Sequence, residues 1–136
     1  MELEDLLAEA DAQLAAVEPI TVPATLATET VGVRFLPMSG ANWRTLVLKH
    51  PPRPDAPQDL QMGYNIDAVV AAYPDVALIL GDRVDDMWRD TDEGRVWMWP
   101  KTWERISATG RKDISTEMWA AHEYLPEQLV SNAGKA

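Results

Sequence analysis

Between Val31 and Asn65 an alternating apolar run, a stripe at helical spacing, a proline pair and a Gly-Tyr-Asn helix start follow one another in VGVRFLPMSGANWRTLVLKHPPRPDAPQDLQMGYN. Such frequent changes of period and punctuation confine the chain to short elements. With 136 residues and 46% of them apolar, the chain suits one domain with a modest core.

The rest of the chain follows the same grammar. Residues 2–17 place Leu3, Leu6, Leu7, Ala10, Leu14 and Val17 on one helical stripe, with acids in the first turn where the helix dipole favours them. Ile20, Val22, Ala24 and Leu26 alternate, as do Val31, Val33 and Phe35, which predicts a β-hairpin turning at residues 27–29. Pro23 cannot donate to a ladder, so the first strand belongs at an edge. Ser39 reads as an N-cap for a helix carrying Trp43, Leu46, Val47 and His50 on one face, and Pro51-Pro52 stops it. Residues 53–62 read as a polar loop, and Asn65 caps a helix bearing Ile66, Val69, Val70 and Tyr73. Beyond Pro74 we expect short helices over residues 75–80 and 82–89, then a turn at 91–94 and a brief strand at Trp97 and Trp99. Pro100 suits the first position of a helix with Trp99, Trp103 and Ile106, ended by Gly110. A last helix over residues 115–124 uses Met118, Trp119 and His122, and Pro126 opens a terminal turn. The expected class is α+β, mainly α, with a small N-terminal β-hairpin packed against a cluster of short helices. The expected division is an acidic helix (1–18), a globular domain (19–126, hairpin at 20–36) and a tail (127–136).

Charge narrows the partners. The net charge of −10 is uneven, with six acids and no base in residues 1–18, net +3 over 19–54, and ten acids against Arg83 and Arg89 over 55–94. Such a surface repels nucleic acid and anionic lipid and points to a protein partner. No cysteine is present, which excludes disulfides, a thiol nucleophile and thiolate metal sites. The opening MELEDLL lacks a basic, apolar leader, and no apolar run approaches the roughly 20 residues of a membrane span. The expectation is a soluble cytoplasmic protein.

Motifs for chemistry fail one by one. His122-Glu123 opens like a zinc-protease helix, but the second histidine position holds Pro126. Residues 82–93 have the length of a calcium loop, yet Val84 and Met87 occupy its third and sixth positions, where an acid and a glycine are required. Gly134-Lys135 echoes a phosphate loop without its first glycine or its hydroxyl. No G-x-S-x-G elbow occurs. We expect no catalytic, cofactor or metal site, and hence no enzyme. Six tryptophans are many for this length, and they divide between core and protein-binding anchors.

The order of hairpin, Ser39-Gly40-Ala41-Asn42-Trp43, His50-Pro51-Pro52-Arg53, acidic loop and Gly63-Tyr64-Asn65 resembles tail assembly chaperones of long-tailed actinobacteriophages, best between Pro19 and Ile66. The resemblance implies a protein that binds the tape measure protein, keeps it soluble and helps tail tube protein polymerise around it, with self-association among its options. It implies action in the host cytoplasm, absence from the mature virion, and a second, longer product made by ribosomal frameshifting, for which the Gly134-Lys135 codons are the place to look. Partner contacts are expected at Trp43, Leu46, Val47, Trp103 and Trp119. Two other classes fit the composition: a structural head–tail or minor tail component retained in the virion, and an acidic inhibitor that mimics nucleic acid through the carboxylates of residues 82–93.

Overall fold

A computed structural model describes residues 1–124 of the protein. The expected turn at Pro126, the tail 127–136 and the Gly134-Lys135 pair lie outside the described residues. The elements run α1 (Leu3–Ala15), β1 (Ile20–Leu26), β2 (Glu29–Phe35), α2 (Gly40–Leu48), α3 (Pro57–Met62), α4 (Ile66–Ala71), β3 (Val76–Leu80), β4 (Arg83–Asp85), β5 (Trp88–Thr91), β6 (Gly94–Trp97), α5 (Trp99–Arg105) and α6 (Ala108–Trp119). A π-helical turn, Ala120–Tyr124, follows α6.

The expected class, mainly helical with a single N-terminal hairpin, is corrected. β1 to β4 form an antiparallel sheet in that order, and β5 and β6 form a second sheet. Residues 75–80 and 82–89, expected as helices, supply β3, β4 and the start of β5. The run Val76-Ala77-Leu78-Ile79-Leu80 is apolar throughout, so periodicity cannot separate strand from helix. Pairing with β2 decides it, by laying Phe35 beside Val76 and Val33 beside Leu78. The Gly81-Asp82 loop, with Gly81 at φ +66, then turns the chain into β4 as a glycine-led hairpin loop does.

Other differences are local. Residues 53–62, expected as a loop, contain α3, which starts on Pro57 and ends at Gly63 with φ +90. Trp99 opens α5 rather than continuing a strand. Gly110 does not end α5, which stops at Arg105; it lies in the first turn of α6 against β1. The hairpin, the edge position of β1 and the Ser39 and Asn65 caps form as their residues predict, with each cap side chain accepting the amide three residues on.

The sheet buries one face, as antiparallel sheets commonly do. Val22, Val33 and Leu78 share one cross-strand row, Ile20, Phe35 and Val76 another, and Ala24 pairs with Val31. α6 packs on β1, and α4 packs against α2, α5 and α6. Trp43, Val47, Tyr64, Ile66, Val69, Val70, Tyr73, Met87, Trp99, Trp103, Ile106, Ile114 and Met118 pack into the same core. Every residue of α1, by contrast, is exposed.

Candidate functional site

Beyond α6, the wider π-helical turn brings His122 and Glu123 to residues far back in the chain. The Nδ1–H of His122 donates to the Met118 carbonyl (2.7 Å), and its Nε2 accepts the Met38 amide (3.0 Å). These two bonds define the neutral tautomer. The imidazole stacks on Trp43 with centroids 4.1 Å apart and planes within 6°. Burial lowers its pKa below the usual histidine value, against the opposing pull of the Met118 bond.

Glu123 completes the cluster. Its carboxylate accepts from Trp43 Nε1 (3.1 Å) and from the Tyr64 hydroxyl. Burial, with the Glu123 bond adding to it, raises the Tyr64 phenol above its ordinary pKa, so it stays a donor. Tyr73, also raised by burial, donates to the Leu36 carbonyl and lies 3.2 Å from His122 Nε2. Both imidazole nitrogens are engaged and one ring face is covered. This arrangement fastens the last turn to the β2–α2 junction and the loop before α4; it does not present a base to a substrate.

Beside it lies a groove of about 750 Å³ between α3, the start of α4 and α6. Gln58, Gln61 and Met62 form one wall, and Arg111, Ser115 and Trp119 the other. Ile66 and Glu123 also line it, so Glu123 joins the groove to the aromatic cluster. The volume is in the range of ligand pockets, but the site is open to solvent and mixes amide, hydroxyl, aliphatic and aromatic groups. Its rims are braced by two ion pairs. Arg53 grips the buried Asp59 with Nε at 2.8 Å and Nη2 at 3.1 Å, while its own amide adds a third bond at 3.0 Å. The Arg53 bonds hold the Asp59 carboxyl below its usual range. Arg111 reaches Asp67 (2.8 Å) and lies over the Trp103 ring, 4.7 Å from its centroid.

The residues expected to carry partner contacts divide. Trp43, Val47 and Trp103 are buried in the core, and Leu46 packs against it partly covered. Trp119 lines the groove and stacks on Tyr124 at 5.6 Å. The contact of Glu123 with Tyr64 and Trp43 had no sequence signal, because these partners lie 59 and 80 residues from it along the chain. A second exposed aromatic feature, Trp88 stacked on Trp97 at 5.8 Å with Arg95 over Trp88, arises from the Trp88–Trp97 pairing of β5 and β6.

Residues 82–93 are spread over β4, β5 and the hairpin loop, and Asp85 is taken by Arg89 and the Met87 amide. Met87 nevertheless adopts φ +67, the conformation for which a glycine was expected, while its side chain is buried. Among the described residues no three His, Asp or Glu side chains come together to hold a metal, and no helix is long and apolar enough to cross a membrane. Comparison with protein-family models, curated proteins and solved structures returns no match.

Proposed function

We propose that this protein is a phage tail assembly chaperone and that the groove between α3, α4 and α6 covers an amphipathic stretch of the tape measure protein. The observation that carries this reading is the open groove beside Trp119, which offers apolar and hydrogen-bonding groups together. Residues 53–66, which belong to the segment bearing the family resemblance, supply one wall of it. A holding protein needs such a surface and an acidic exterior that keeps the complex dispersed. Release then follows by mass action as tube protein competes for the same chain.

Co-expression with the tape measure protein tests the reading. The wild-type chain should raise the soluble yield of tape measure protein, and Trp119→Ala, verified as folded by circular dichroism, should lose most of that gain. Unchanged yield with wild type present sinks the proposal. Detection of the protein in purified virions by mass spectrometry favours a structural tail component instead.

A further inference from the structure

The apolar stripe of α1 has no partner within the described fold. Leu3, Leu6, Leu7 and Leu14 are between 48% and 63% exposed, and no residue of the helix is buried. Leu3, Leu7, Ala10 and Leu14 are spaced four, three and four apart, the alternation of a coiled-coil seam. Glu4 and Asp11 follow the seam residues Leu3 and Ala10 and so occupy a flanking position that faces a neighbouring helix. A helix of 13 residues is marginal alone in water and gains most of its stability by packing.

Charge identifies what can pack there. Residues 1–18 hold six acids and no base, so a second copy of α1 would bring like charge against like charge with nothing to offset it. We infer that α1 is a docking helix for a basic amphipathic helix of another polypeptide, one with an apolar stripe flanked by lysine or arginine. At about 1.5 Å per residue, α1 spans about two heptads of such a partner. This surface is separate from the groove, and the inference stands whether or not the tape measure reading does.

The test uses the full chain and a labelled synthetic helix of three heptads with leucine at the two seam positions and lysine at the two flanking positions. Fluorescence anisotropy at low salt should show binding, while a scrambled peptide of the same composition and a version with glutamate flanks should not bind. The double variant Leu7→Lys/Leu14→Lys should weaken binding at least tenfold. The charge-reversed variant Glu4→Lys/Asp11→Lys keeps the seam; it should lose affinity for the lysine peptide and gain it for the glutamate peptide. Absence of binding by the lysine peptide, or equal binding by wild type and both variants, overturns the inference. So does sedimentation showing a dimer of the wild type that Leu7→Lys/Leu14→Lys abolishes, because α1 would then be covered by a second copy.

Discussion

The imidazole of His122 lies flat on the indole of Trp43, 4.1 Å between centroids, although the two residues are far apart in sequence. Burial in this stack lowers the imidazole pKa and so favours its neutral form.

That neutrality makes stability pH-dependent. The unfolded histidine titrates near pH 6.5, and the folded one lower, so the unfolded chain binds the extra proton first. Stability is full above about pH 6.5 and falls as pH drops from there toward the folded pKa. Protonation also removes the lone pair that accepts the Met38 amide. The urea midpoint, followed by tryptophan fluorescence, should decline from pH 7.5 to 5.5, and His122→Gln should flatten that decline. A wild-type profile level across this interval contradicts the account.

Glu123 serves two largely buried donors, so its removal should cost more than its exposure implies. In Glu123→Ala the Trp43 indole N–H and Tyr64 hydroxyl lose their acceptor, a loss of about 1–3 kcal/mol. Glu123→Gln retains a carbonyl acceptor and should lose less. Equilibrium urea denaturation of the two variants at pH 7 gives the comparison.

Helical Gly→Ala changes ordinarily stabilise. At Gly110 the sign should reverse, because an added Cβ would sit 2.8 Å from the Ala24 Cβ, which is fixed to the backbone, and 2.9 Å from the Ile106 Cγ2 of a β-branched side chain. Gly110→Ala should destabilise by about 1–3 kcal/mol, as overpacking does. Gly40→Ala, where the Cβ meets open space, serves as the control and should be neutral or slightly stabilising. Thermal melts separate the two signs.

The Arg53–Asp59 pair sets an acid limit. Bonds from the Arg53 side chain and amide lower the Asp59 pKa, so this carboxylate supports the fold above about pH 4 and its contribution is lost as pH falls through the folded value. Asp59→Asn should therefore reduce the urea midpoint at pH 7, with the gap to wild type narrowing toward pH 3. A gap independent of pH would show that packing rather than charge holds this corner.

Local chemistry made part of this architecture legible. The alternation on either side of residues 27–29, the Ser39 and Asn65 side chains and the Ile66, Val69, Val70 stripe each act over a few residues, and the folded chain uses them as read. Of the residues expected to meet a partner, Trp119 alone lines the groove. Trp43, Val47 and Trp103 share the helical spacing of any apolar stripe, and spacing cannot tell a core face from a docking face.

Sequence by itself determined the β1–β2 hairpin, the Ser39 and Asn65 caps, the net negative charge and the apolar stripe of α1, because these depend on composition or on neighbours within a turn or two. Tertiary structure decided that Val76–Leu80 is a strand, that Gly110 lies against Ala24, and that His122 and Glu123 close onto Trp43, Tyr64 and Tyr73. Each of these depends on a partner distant along the chain, and the pairing free energy exists only once the sheet and α6 have brought the partners together.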